Sequence, residues 1–372
     1  MQYHLAHQFR SDFLKLRFTD EANPPPLLGK VVHVESASTV DSVAEDSEAP
    51  SEEFRAASNF WRSLTYALLA AASDVIDINR TELDGLFRPV EVNFNAAELI
   101  IVVLAVRQGG ELIDVARYSI IGSVIGNVLL ILGASLLVSG IKNGRQGFSA
   151  AIAGVNATML LLATVALALP TLFNGLSHMD TGATVNLSHG VAIVMVILYA
   201  AYLFHAFQSP EESGAATGHA RWSTRLALAV LAVSAIISGV LSEFLVSAIE
   251  PTIEQTGISP VFIGLIVVPL VGNIAEHFAA VKIAAKGDLD FSMGIAFNSA
   301  LQVALAVTAV AVLAGFVFGH ELALAFGALE IAVLIAAAVV AAFIAISGKA
   351  TWLEGLELLA IYAIAAIAFW YV

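Results

Sequence analysis

From about residue 94 to the C-terminus the chain is one apolar stretch after another, and that succession decides what it can fold into. A bilayer core about 30 Å thick takes about 20 apolar residues per helix. Nine such spans can be marked, at about 94–107, 118–141, 149–173, 187–207, 225–250, 261–285, 291–318, 324–346 and 353–371. The first is short. Of the 372 residues, 58% are hydrophobic and 13% charged, with mean hydropathy +0.84. A soluble domain carries about 25% charged residues. A soluble core cannot absorb that apolar excess, whereas lipid can. The expected fold class is an all-α integral membrane protein that crosses the bilayer many times, with membrane lipid as its first partner.

The first 93 residues have a different texture. Residues 1–60 hold ten Asp and Glu against five Lys and Arg, with Pro24-Pro25-Pro26 and a polar run from Glu35 to Glu53. They are expected to be an acidic, disordered tail. Such a tail gives no reason to expect nucleic acid as a partner. Residues 61–93 form an atypical leader, whose apolar content Asp74, Asp77, Arg80, Glu82, Asp84, Arg88 and Glu91 interrupt. The N-terminus lacks the pattern of a cleavable signal peptide. The chain has no cysteine, so neither a disulfide framework nor thiolate ligation of a metal is available.

The longest polar break after residue 94 runs from Gln208 to Thr224 and separates four spans from five. It divides the chain into a first transmembrane repeat at 94–207, a linker at 208–224 and a second repeat at 225–372. Each half carries one Asn-x-Ala-Glu element, Asn95 to Glu98 and Asn273 to Glu276. Matched elements of this kind mark an internal duplication with inverted topology. If the spans alternate, Lys142, Arg145, Arg221, Arg225, Lys282, Lys286 and Lys349 fall on one side, and Arg107 and Arg117 on the other. Cytoplasmic loops carry the excess of Lys and Arg. The central linker is therefore predicted to be cytoplasmic and the C-terminus external.

A carboxylate within the bilayer costs several kcal/mol, roughly, so it usually faces a cavity and serves function. Glu98 and Glu276 are two of them. Asn and Glu three residues apart share a helix face, so each element presents an amide oxygen and a carboxylate together. Hard cations such as Ca²⁺ take about six to eight oxygen ligands, whereas softer metals want nitrogen or sulfur. The predicted cation site is Glu98, Glu276, Asn95 and Asn273. The following helix of each half adds a second polar layer, Ser123 with Asn127 and Ser299 with Gln302. These have the chemistry to complete the shell with neutral oxygens, or to join helices by hydrogen bonds. His277 is a candidate proton carrier. Glu243 and Glu250, at the end of the 225–250 span, are candidates for an ion entrance or a solvated helix end. Glu330 has no evident partner. Protons and Ca²⁺ would compete for the same carboxylate oxygens, and a site open to each side in turn then suffices for exchange.

The run from Gly264 to His277, GLIVVPLVGNIAEH, resembles the second conserved repeat of the calcium/proton exchangers, where the pattern is close to Gly-Asn-Ala-Ala-Glu-His. Ser242 to Glu250 resembles the helix before it in that family. Trp352-Leu353-Glu354-Gly355 with Tyr362 resembles its last helix. Asn95-Ala96-Ala97-Glu98, and Gly122-Ser123 with Asn127, are similar to the first repeat. The resemblance runs from about residue 94 to the end. It implies an inverted-repeat fold of eleven helices with a cytoplasmic linker, and Ca²⁺ exchanged for H⁺ at Glu98 and Glu276. Ca²⁺ and H⁺ would be the transported ions, with no cofactor. There are departures. Phe94 stands where the family has Gly, Gly126 where it has Ser, Asn298 where it has Gly, and Leu301 where it has Thr. The family also has two helices before residue 94, which 61–93 does not supply. The first repeat is thus expected to be incomplete, with one or two helices missing or altered by truncation or a shifted reading frame.

The leading expectation is a Ca²⁺/H⁺ antiporter working by alternating access. The alternatives are a Na⁺/Ca²⁺ exchanger of the same superfamily and a truncated relative that does not transport. An intramembrane enzyme is disfavoured, because no nucleophile, His pair or phosphate-binding motif accompanies the carboxylates. Homo-oligomerisation is left open by the sequence.

Overall fold

The structure is a computed structural model, and it describes residues 95–177, 181–208 and 224–372. The expectations for residues 1–93 and for the linker lie outside the described residues. The helices are α1 (Ala96–Gln108), α2 (Leu112–Ile125), α3 (Leu132–Asn143), α4 (Ala150–Ser177), α5 (Thr181–Gln208) and α6 (Thr224–Thr256). Then come α7 (Pro260–Phe262), α8 (Val268–Gly272), α9 (Ile274–Ala285), α10 (Leu289–Leu301), α11 (Thr308–Phe318), α12 (Ala328–Ser347) and α13 (Trp352–Trp370). Three π-helical segments, Gly126–Ile131, Ile263–Val267 and Gln302–Val307, join α2 to α3, α7 to α8 and α10 to α11 without breaking the chain's helical course.

Seven continuous helical runs among the described residues are long and apolar enough to cross a membrane, and an eighth qualifies if the bent pair Pro260–Gly272 and Ile274–Ala285 counts as one. The marked spans correspond to these runs with three corrections. The 94–107 span is a helix of 13 residues. At about 1.5 Å per residue it covers roughly 20 Å, short of a bilayer core. The 261–285 span is two helices meeting at 59°. The 225–250 span does not stop at Pro251 but runs on to Thr256. A proline removes one backbone donor. Around it the hydroxyls of Ser247, Thr252 and Thr256 bond back to the carbonyls of Glu243, Ala248 and Thr252.

The two halves repeat each other. Asn95 and Glu98 precede Asn273 and Glu276 by 178 positions, and the π-helical segments at Gly126 and Gln302 are both six residues long. By the same spacing, the counterparts of α6 to α8 would fall before residue 95, outside the described residues. The halves interlock: α1 packs on α11, and α9 on α3. Loop ends tie one face together. Gln146–Gly147 (β1) pairs antiparallel with Lys349–Ala350 (β2), and the Ser149 amide donates to Asp290 at 2.6 Å. Val165, Leu169 and Leu172 on α4, and Ile193, Val194 and Ile197 on α5, remain exposed, as a lipid-facing surface requires.

Candidate functional site

The sequence sets each asparagine at the mouth of a helix and each glutamate in its first turn. Asn95 is the N-cap of α1 and Asn273 the N-cap of α9, with Glu98 and Glu276 at the third helical position. An N-cap asparagine ordinarily turns its side chain onto its own helix. Neither does so here. Each reaches into the opposite half instead. The Asn95 amide Nδ2 donates to Ser299 Oγ at 2.9 Å and to the Ser299 carbonyl at 3.2 Å. The Asn273 amide Nδ2 donates to Ser123 Oγ at 3.5 Å, and also to the Pro269 carbonyl at 3.1 Å.

Ser299 is the hub. Its hydroxyl accepts from Asn95 and from Asn127 Nδ2, the latter at 2.7 Å, and donates to Glu276 Oε2 at 2.7 Å. One donor and two acceptor positions are all a serine hydroxyl has, so it is saturated. Gln302 Oε1 accepts the Asn95 backbone N–H at 3.2 Å and caps α1 in place of the missing side-chain cap. The Ser299 hydroxyl is thus fully used within the protein, while Gln302 Oε1, an amide oxygen with two acceptor positions, has used one of them.

What remains open is a set of oxygens. Asn95 Oδ1, Asn127 Oδ1, Asn273 Oδ1 and Glu98 Oε1 are all buried, and none has a hydrogen-bond donor. An unsatisfied buried acceptor costs about 1–3 kcal/mol. Unpartnered carboxylate and amide oxygens are the atom types that hard cations coordinate. Glu98 is enclosed, with 6% of its surface exposed, whereas Glu276 keeps partial access. Among the described residues no group of three or more His, Cys, Asp or Glu side chains is arranged to hold a metal. The cluster is instead two carboxylates with amide oxygens, a hard-ligand set.

Backbone proximity brings these groups together. A Cβ on Gly122 would overlap the Leu265 carbonyl, and one on Gly264 would stand 2.7 Å from Tyr118 Cβ. Glycine at both positions lets α2 lie directly against the Ile263–Val267 segment, which sets Ser123 beside Asn273. Gly272 leaves the space that Glu98 Oε1 fills, 3.3 Å from where its Cβ would be. The π-helical segments begin three residues after Ser123 and Ser299. Such segments recur at functional sites, where they shift side chains off the regular helical rows.

Of the predicted residues, Asn95, Glu98, Ser123, Asn127, Asn273, Glu276, Ser299 and Gln302 come together. His277 follows Glu276 on α9, partly buried, and takes no part in the hydrogen-bonded group. Glu243 and Glu250 are exposed on α6 and also stand outside it; because α6 continues to Thr256 they lie within the helix, not at its end. Glu330 is the third residue of α12, buried, with its carboxylate folded over Gly327. Sequence reasoning missed a neighbouring group: the Tyr202 hydroxyl lies 3.0 Å from Asn156 Oδ1 and 2.9 Å from Asn298 Oδ1, tying α4, α5 and α10 beside Ser299. The signal was Asn298, standing where the family pattern has Gly.

Residues 93–208 and 226–371 match the family model described as sodium/calcium exchanger protein. A Ca²⁺/H⁺ antiporter of Aphanothece halophytica is 35% identical over 300 residues, covering 74% of this chain and 79% of that protein. The Ca²⁺/H⁺ antiporter ChaA of Bacillus subtilis is 36% identical over 289 residues, covering 74% and 80%. The solved structure of native YfkE superposes with TM-score 0.66 at 35% identity, over 75% of this chain and 81% of that one. A sodium–calcium exchanger structure, NCX_Mj, superposes with TM-score 0.56 at 20% identity, over 82% and 95%, a likeness of fold. With most of its described helices inside the matched segments, this chain belongs to the sodium/calcium exchanger family.

Proposed function

We propose that the chain exchanges Ca²⁺ for H⁺ across the membrane, at one site shared by its two halves. The observation that carries this is the cluster of four buried, donor-free oxygens beside two carboxylates. Glu98 and Glu276 supply the negative charge, and Asn95, Asn273 and Asn127 supply amide oxygens. Ca²⁺ binds as the carboxylates release protons, and protons return as Ca²⁺ leaves. The relatives named as Ca²⁺/H⁺ antiporters support this reading, and they are transporters rather than enzymes. Alternating access follows from the inverted repeat, since each half can close one side of a fixed site. Lys142, Arg145, Lys282, Lys286 and Lys349 flank the loops tied by β1 and β2. That end is assigned to the cytoplasm, with the linker, and the C-terminus to the outside.

The test is Ca²⁺ uptake into everted vesicles bearing the full chain. A pH gradient alone, without Na⁺, is expected to drive it. Uptake that requires a Na⁺ gradient would overturn proton coupling in favour of a Na⁺/Ca²⁺ exchanger. No uptake from chain shown to be inserted and folded would mark a relative that does not transport.

A further inference from the structure

The two site helices are held at their far ends as well as at the site, again by the opposite half. Val106 lies eleven residues after Asn95, and Ala284 eleven after Asn273. The Val106 carbonyl, in the last turn of α1, accepts a hydrogen bond from His320 Nδ1 at 3.0 Å. The Ala284 carbonyl, in the last turn of α9, accepts one from Asn143 Nδ2 at 3.3 Å. Last-turn carbonyls lack partners within their helix, so an outside donor matters there. The donors match in origin as well. Asn143 ends α3 just before Gly144, and His320 follows Gly319 at the end of α11; both glycines have φ of 74°. Gly109 gives the imidazole its seat, since a Cβ there would stand 2.7 Å from the ring.

We propose that His320 and Asn143 are a matched pair of positioning residues, each latching the carboxylate-bearing helix of the other half at one face of the membrane. This rests on the exchange reading above. The latches lie at opposite ends of the bundle, so each biases the site's access toward one side. They are unequal. The Ala284 carbonyl also accepts the Gly287 N–H at 3.0 Å, so Asn143 shares its load.

Two measurements on the full chain test this. In amide hydrogen exchange of purified protein, His320→Leu should speed exchange across residues 105–111 and leave 283–288 unchanged, with Asn143→Leu doing the reverse more weakly. In vesicles, His320→Leu should slow uptake about tenfold, as the loss of one buried hydrogen bond can, with half-saturating Ca²⁺ little changed. His320→Asn keeps an amide donor, so it should restore the rate and the slow exchange at 105–111. Unchanged exchange at 105–111 in His320→Leu overturns the latch. A rate in His320→Asn no better than that of His320→Leu, or, if His320→Leu fails to fold, one about tenfold below wild type, likewise overturns it. Hydrogen exchange requires no transport, so it judges the latch even if wild-type uptake refutes Ca²⁺/H⁺ exchange.

Discussion

The two Asn-x-Ala-Glu elements have nearly the same sequence and are held differently. In the first half, Asn95 makes two bonds to Ser299, and its backbone N–H is capped by Gln302. In the second, Asn273 sits in a 59° break, and its reach to Ser123 stretches to 3.5 Å. The carboxylates invert that order. Glu276 is anchored by Ser299 and partly accessible, while Glu98 is enclosed with Oε1 unpartnered. A duplicated element has thus divided its work. One half offers a firmly held amide with a carboxylate whose Oε1 is unpartnered, the other a held carboxylate with a looser amide. The division traces to the second helices, because Ser299 is saturated by three partners and Ser123 has a single weak one.

The hardest blow to this pairing is removal of a charge. Glu98→Gln and Glu276→Gln should each cut pH-driven uptake by about 100-fold or more, the order expected when a buried charge loses its partner. Insertion and folding should survive, as fluorescence-detected size exclusion would report. If Glu276→Gln is silent and Glu98→Gln is not, the site belongs to the first half alone, and the shared-site reading falls.

The next test concerns backbone proximity. Gly122 and Asn298 are counterparts, each preceding its serine. Gly122 lies against the Leu265 carbonyl, so Gly122→Ala forces two backbones apart and should cost about 1–3 kcal/mol, as overpacking does. Asn298 instead bonds Tyr202, and Asn298→Gly should lose only about 1 kcal/mol. Thermal unfolding in detergent compares them. Equal losses would mean that the second half also depends on a close approach at that position.

Much of this arrangement was legible beforehand, for reasons that differ by residue. Glu98 and Glu276 stood out because charge is rare in an apolar run. Ser123, Asn127, Ser299 and Gln302 stood out for the same reason, one helix later. The break at Asn273 does not show in hydropathy, which has no sign for a bend; its signs were Pro269 and the Gly272-Asn273 pair, residues that commonly stop a helix. The length of α6 was not legible, because Pro251 normally ends a helix. The role of Ser299 was partly visible. Its position suggested a ligand, but whether its oxygen is free depends on three partners from three other segments. His320 and Asn143 were invisible, being ordinary polar residues at or just past a helix end until the fold sets them beside the last turn of another helix.

The finest comparison is between the two serines. Ser299→Ala would leave the Asn95 and Asn127 amides and one Glu276 oxygen without their shared partner, at about 1–3 kcal/mol for such losses. Apparent Ca²⁺ affinity should fall at least about tenfold, at 1.4 kcal/mol per decade. Ser123→Ala removes a contact at the 3.5 Å limit from an amide that the Pro269 carbonyl also holds. Its effect should stay under about threefold, since a bond so long contributes little. The measurement is Ca²⁺-dependent uptake at fixed pH gradient. Should the two serines prove equal, Ser123 must tighten on Asn273 when Ser299 loosens on Asn95. The asymmetry would then belong to one stage of the transport cycle, with the two halves exchanging roles as the site turns from one side to the other.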